Sequence, residues 1–141
     1  MAIVVAGAVI DGDKLLIAQR SKPAELAGQW ELPGGKVAEG ESEPQALARE
    51  LREELGIEVE VDTRIGEDVV VGNLVLRAYL ARLHDGGIPH PHEHLALRWV
   101  TADELDTVEW VAADAGWIPA LRAAARKASR RAMPVEVSCG P

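Results

Sequence analysis

Glu50, Glu53 and Glu54 crowd into the run Arg49-Glu50-Leu51-Arg52-Glu53-Glu54-Leu55. At about 100° per residue, a helix would place the three carboxylates within about 100° of arc, with Leu47, Ala48, Leu51 and Leu55 on the neighbouring arc. The leucines would anchor the helix and the glutamates would project together. Standing alone, such a face is most simply a solvated, salt-bridged surface. Its other use is chemical: carboxylates on one face offer the oxygen ligands that Mg²⁺ prefers, and Mg²⁺ keeps waters, one of which can act as a nucleophile. A polyphosphate could approach these acids only with divalent cations between.

The surrounding residues can build that helix and its mouth. Ser42 followed by Gln45 is a capping-box pattern, Pro44 suits a first turn, and Gly56 stands where a helix ends, so the spacing predicts a helix over Glu43–Leu55. Upstream, Gly34 and Gly35 carry no side chains and would let backbone approach a metal or phosphate, while Lys36 supplies a point charge. Arg49 lies one turn before Glu53 and can hold it, and Glu41 can brace Arg49 across the loop.

From Gly35 the chain reads Gly, five residues, Glu41, seven residues, then Arg49-Glu50-Leu51-Arg52-Glu53-Glu54-Leu55-Gly56-Ile57. This run resembles the Nudix box at every fixed position, and Trp30-Glu31-Leu32-Pro33-Gly34-Gly35-Lys36 resembles the MutT-type branch of that family. The likeness extends from about Val4 to Leu121. It implies a Nudix fold and a hydrolase in which Glu50 and Glu54 are metal ligands with the Gly34 carbonyl. Glu53 would be a further ligand or the general base, a choice the pattern leaves open. The family also draws a ligand from outside the box, and Glu93, six residues before Trp99, takes the matching place. His90, His92 and His94 alternate as a zinc site might, but Cys139 is remote and no other soft ligand accompanies them.

The rest of the chain supplies strands. Ile3–Ile10 is continuously apolar, as in a strand buried on both faces, and Asp11-Gly12-Asp13 turns it into a second, Lys14–Arg20. Strand segments are expected at Ile57–Ile65, Glu67–Val71, Leu74–Leu83 and Leu95–Val100, with a hairpin at Gly72-Asn73. A capped turn is expected at Thr101–Leu105 and a second long helix at Ile118–Arg131, Pro119 in its first turn. Strands mixed with two substantial helices imply an α/β/α sandwich around a mixed sheet. One Nudix domain is expected over residues 1–131, with residues 132–141 as a flexible tail.

Composition narrows the function classes. The 141 residues, 48% hydrophobic, suffice for one core, and the formal charge is −8. Seven acids and two bases over residues 41–60 give −5, whereas 122–131 holds five bases and no acid. An acidic balance argues against general nucleic-acid binding, so a phosphate ligand would need Mg²⁺, with Mn²⁺ as a substitute. No apolar run approaches the roughly 20 residues of a membrane helix, and the N-terminus lacks the basic region of a signal peptide. A lone cysteine suits a reducing cytoplasm, and cytoplasmic localisation is the expectation.

Two residues bear on the base. Arg20 stands where MutT-type enzymes place a nucleotide-contacting arginine. Asp114 stands where the 8-oxo-guanine-selective branch carries asparagine. An asparagine both donates and accepts, whereas an ionised aspartate only accepts, so Asp114 wants a base that offers N–H donors. Cytosine does, as does normal guanine, and the segments around Glu93 and Asp114 resemble the CTP pyrophosphohydrolase branch. The expected function is therefore a nucleoside triphosphate pyrophosphohydrolase releasing monophosphate and pyrophosphate, preferring dCTP, CTP and 5-methyl-dCTP. The alternatives are an 8-oxo-dGTP diphosphatase and a non-catalytic nucleotide sensor; oligomeric state is left open.

Overall fold

The computed structural model describes residues 2–84 and 86–132. The apolar N-terminal run forms β1 (Ala2–Asp11), and the tight turn at Gly12 leads to β2 (Lys14–Gln19). After a loop come two short strands, β3 (Trp30–Glu31) and β4 (Gly34–Lys36), and then helix α1 (Glu43–Leu55). A hairpin follows, β5 (Val59–Val71) and β6 (Leu74–Leu83), then β7 (Ala96–Val100), a 3-10 helix (Ala102–Thr107), α2 (Ala112–Ala115) and α3 (Ile118–Ala132). Of the expected tail only Ala132 is described, closing α3; residues 133–141, Cys139 among them, lie outside the described residues. None of the described helices is long and apolar enough to cross a membrane.

One expectation fails. The segments expected as separate strands, Ile57–Ile65 and Glu67–Val71, are a single strand starting at Val59, whose register slips between Val61 and Arg64 and again between Ile65 and Val69. The turn residue Gly66, at φ +66°, is absorbed as a bulge. A Cβ there would lie 2.7 Å from the Trp117 ring, so the bulge also makes room for that side chain, whose Nε1–H donates to the Glu67 carbonyl at 2.8 Å.

The seven strands make one mixed sheet in the order β3-β2-β1-β6-β5, with β4 also on β1 and β7 also on β2; β1 and β6 are parallel. β1 meets β2 only at Ile10 and Asp11, and its other end pairs with β4 at Val4, Val5 and Ala6. The two strands therefore splay, and residues 30–36 fill the opening, pinned by Gly7 N–H donating to the Pro33 carbonyl at 2.8 Å. That splay is where the site sits.

Both sheet faces are covered, which is why β1 reads as unbroken apolar sequence. Val5, Val9 and Leu16 pack with Leu47, Leu51 and Leu55 of α1 on one side. Ala6, Ala8, Ile10, Leu15 and Ile17 pack with Trp117 and Leu121 on the other. The three α1 leucines are fully buried, each stabilising by roughly 1.5–3 kcal/mol, and so fix which face the glutamates present. Both halves of the capping box form, Gln45 N–H to Ser42 Oγ at 3.2 Å and Ser42 N–H to Gln45 Oε1 at 2.9 Å, and Gly56 closes the helix at φ +69°. Glu43 in the first turn accepts from Tyr79 Oη at 2.8 Å and from Arg77, tying α1 to β6.

Candidate active site

Arg49 organises the exposed edge of α1. It donates to both oxygens of Glu41, from Nε at 2.6 Å and Nη2 at 2.9 Å. Its Nη1 reaches Glu50 at 3.0 Å and Glu53 at 3.1 Å, and Nη2 also reaches the Lys36 carbonyl at 3.1 Å. Five contacts match the five donors of a guanidinium, a fork that lysine could not reproduce. The Arg49 hydrogen bonds, with a backbone bond from Ala38, hold the Glu41 carboxyl down at about 2. The loop from β4 is thus stapled to the helix through one side chain.

The glycines are also required by the packing of the protein itself. A Cβ on Gly34 would lie 1.9 Å from the Val5 carbonyl oxygen, and one on Gly35 would lie 2.4 Å from the Glu50 carboxylate. Their bareness lets β4 pair with β1 and lets the Glu50 side chain lie across the strand.

Beside this hub a cleft opens, walled by Arg20, Ser21, Lys22, Glu31, Gly34, Glu54, Glu93 and His94. Burial, then the charge of Glu50, pushes the Glu54 carboxyl up to about 7; Glu93 and Glu31 add to the rise and His94 opposes it. A carboxyl raised by burial and by neighbouring acids is suited to a cation, and the oxygen donor set fits a hard divalent ion. Two of the three glutamates of α1 share one guanidinium, and the third stands beside them. Glu50 and Glu53 turn to Arg49, Glu53 remains 61% exposed, and among the described residues no three His, Cys, Asp or Glu side chains are already assembled as a metal site.

Glu93 is brought to the cleft by long-range ties. Its carbonyl accepts from Ser21 Oγ at 2.7 Å, and two residues on Leu95 N–H donates to the Gln19 carbonyl at 2.9 Å. Arg20, expected as the last residue of β2, stands just after it, and its guanidinium is engaged within the protein, with Glu31 Oε1 at 2.8 Å and the Lys22 carbonyl at 3.0 Å. The other Glu31 oxygen meets His94 Nε2 at 3.1 Å. Sequence reasoning missed Glu31 and Ser21 and weighed His94 only as a zinc ligand. The available signal was an acid in the short Trp30-Glu31-Leu32 strand, between two apolar residues.

Asp114 is not on the cleft wall. It lies in α2, only 5% exposed, and its Oδ2 accepts from Leu32 N–H at 2.8 Å. Burial pushes its carboxyl up to about 7, with the Glu31 charge adding to the rise and Arg20 opposing it. An aspartate that only accepts is the expectation from sequence; burial brings the titration of this carboxyl toward neutral pH.

A NUDIX domain model matches residues 1–121. A candidate 8-oxo-dGTP diphosphatase of Mycobacterium tuberculosis is 58% identical over 120 residues, 82% of this chain and 84% of that protein. The CTP pyrophosphohydrolase of Escherichia coli is 43% identical over 109 residues, 72% of this chain and 78% of that one. Among solved structures, the E. coli ORF135 protein superposes with a TM-score of 0.71 at 38% identity, covering 96% of this chain and 95% of that one. A MutT structure from a study of Aliivibrio salmonicida and Vibrio cholerae gives 0.71 at 30%, covering 87% and 98%. With the α/β/α sandwich and the arginine-braced glutamate helix, these matches establish that the chain belongs to the Nudix family, as a MutT-type hydrolase of phosphoric anhydrides.

Proposed function

We propose that the chain is a Mg²⁺-dependent nucleoside triphosphate pyrophosphohydrolase that releases monophosphate and pyrophosphate and acts first on cytidine nucleotides: dCTP, CTP and 5-methyl-dCTP. Glu50, Glu54 and the Gly34 carbonyl would hold the cation, with Glu93 closing it from the opposite loop and Glu53 as a further ligand or the base. When bound there, Mg²⁺ would supply charge to offset the polyphosphate and Lewis-acid assistance to attack by water. The chain's own side chains do the rest. Arg49 keeps Glu50 and Glu53 in place, Lys36 and the backbone at Gly35 stand at the phosphates, and Arg20 lines the nucleoside side.

The observation that carries the cytidine reading is Asp114. One oxygen is fixed by Leu32 N–H, and no hydrogen bond to the other occurs among the described residues, so its ionised form offers an acceptor to an amino group such as that of cytosine. The likeness to a CTP pyrophosphohydrolase supports it. A second reading, 8-oxo-dGTP as main substrate, is favoured by the raised Asp114 carboxyl, which when protonated both donates and accepts as asparagine does. It also has the support of the 58% identical relative.

The test compares kcat/KM for dCTP, CTP, 5-methyl-dCTP and 8-oxo-dGTP in the wild type and in Asp114→Asn, with products identified. Asparagine keeps an acceptor for Leu32 and adds a donor, so preference should shift from cytosine toward oxidised guanine by about ten- to hundredfold. An unchanged ratio would sink the assignment of Asp114 to base selection.

A further inference from the structure

Glu31 has no role in the Nudix box, yet two cationic or polar side chains from different elements converge on it inside the cleft. Arg20 Nη1 donates to Oε1 at 2.8 Å, and His94 Nε2 lies 3.1 Å from Oε2. An ionised carboxylate only accepts, so His94 must present its Nε2–H, which leaves Nδ1 buried without a hydrogen-bond partner among the described residues. The carboxylate cannot swing away without breaking both contacts. Each of its oxygens still has a second lone pair, and the side chain lines the cleft.

Its position says what those lone pairs meet. Glu31 shares the cleft with Gly34, Glu54 and Glu93, the end assigned to cation and phosphates. The next residue, Leu32, holds Asp114, the group assigned to the base. Its charge acts on both Glu54 and Asp114. In a nucleotide the sugar lies between phosphate and base. Phosphate oxygens would be repelled by this carboxylate, whereas a sugar hydroxyl is a donor suited to it.

We propose that Glu31 binds the nucleotide's sugar, accepting a hydrogen bond from a ribose hydroxyl, with Arg20 and His94 as positioning residues that aim its carboxylate. This rests on the nucleotide-hydrolase reading above and is independent of which base is preferred.

The test measures kcat and KM for the wild type, Glu31→Ala and Glu31→Gln, with melting curves to confirm folding. CTP against dCTP reports the 2′-hydroxyl, and dCTP against 2′,3′-dideoxy-CTP the 3′-hydroxyl. 8-oxo-dGTP and its dideoxy analogue form a parallel pair, so failure of the cytidine preference leaves the sugar comparison readable. For one hydroxyl, the wild type should lose about ten- to hundredfold in kcat/KM when it is removed. Glu31→Ala should lose comparably on the hydroxyl-bearing substrate and show little further loss without it. Glu31→Gln, still able to engage Arg20 and to meet His94 in its other tautomer, should restore part of the discrimination. A Glu31→Ala enzyme that discriminates at both hydroxyls as strongly as the wild type overturns the proposal. So does one whose cytosine-to-oxoguanine ratio moves while its hydroxyl ratios stay fixed.

Discussion

Replacing Asp114 with asparagine should flatten the pH dependence of stability as well as alter base preference. The ordinary carboxyl value is 3.8 and the folded value is about 7, raised chiefly by burial. Between those values the folded chain keeps a proton that the unfolded chain has released, so stability is greatest below the unfolded value and falls as pH rises toward 7. At about 1.4 kcal/mol per pH unit the whole loss is on the order of 4 kcal/mol, of which roughly 2–3 kcal/mol falls between about pH 5 and pH 8. The side chain is only 5% exposed, so solvent screening does little to reduce this. Asparagine keeps an oxygen for Leu32 N–H and carries no charge, so any fixed cost of the buried amide shifts the level of its stability curve and leaves the slope alone. Urea unfolding of wild type and variant across that pH range, without added metal, gives the difference directly. The gap should move by roughly 2–3 kcal/mol in favour of the variant as pH rises. A gap that stays constant would show that Asp114 ionises with no burial penalty, and the account of its donor-acceptor duality would fall with it.

Four further outcomes follow from the site. Arg49→Lys keeps a charge but loses the fork that engages Glu41, Glu50, Glu53 and Lys36, so kcat should drop by about ten- to hundredfold with little change in melting temperature; steady-state kinetics and a melt together check this. Gly35→Ala puts a methyl 2.4 Å from the movable Glu50 carboxylate and should weaken Mn²⁺ binding, read by electron paramagnetic resonance, by about ten- to hundredfold in a protein that still folds. Gly34→Ala meets backbone instead, 1.9 Å from the Val5 oxygen, and should show its main effect as a lowered melting temperature from a disrupted β1–β4 pairing. Glu54→Gln should abolish turnover yet, without metal, stabilise the fold above about pH 7, because the buried carboxyl it replaces is one whose ionisation the fold resists; retained hydrolysis would refute the cation-site assignment.

What could be read ahead of the structure was what local spacing dictates. The α1 boundaries follow from Ser42, Gln45 and Gly56, and the Arg49 contacts with Glu41 and Glu53 follow from an eight-residue reach and one helical turn. What stayed hidden depends on strand pairings between distant segments. Ser21 and Glu93 are 72 positions apart and Glu31 and His94 are 63, and both meetings require β2 to sit between β3 and β7. No window of sequence contains that fact. The unbroken β5 escaped for a related reason: Gly66 looks like a terminator until Trp117, far along the chain, is seen to need the space beside it.

Four of the seven acids over residues 41–60 divide by the direction in which the fold moves their carboxyls. Glu41, Glu43 and Glu58 are lowered, each paired with an arginine: Arg49, Arg77 and Arg52. These acids are structural; their charge is compensated within the protein, and they lock loop, helix and sheet to one another. Glu54 moves the opposite way, raised by burial and by other acids at the cleft. Among the described residues no arginine or lysine pairs with it, which leaves its charge open to a cation from outside the chain. The net charge of −8 therefore does not describe a surface that repels phosphate uniformly. Arginines pair with the scaffold acids, whereas Glu54 and Glu93 face the cleft, where a divalent cation would turn repulsion of a polyphosphate into its binding.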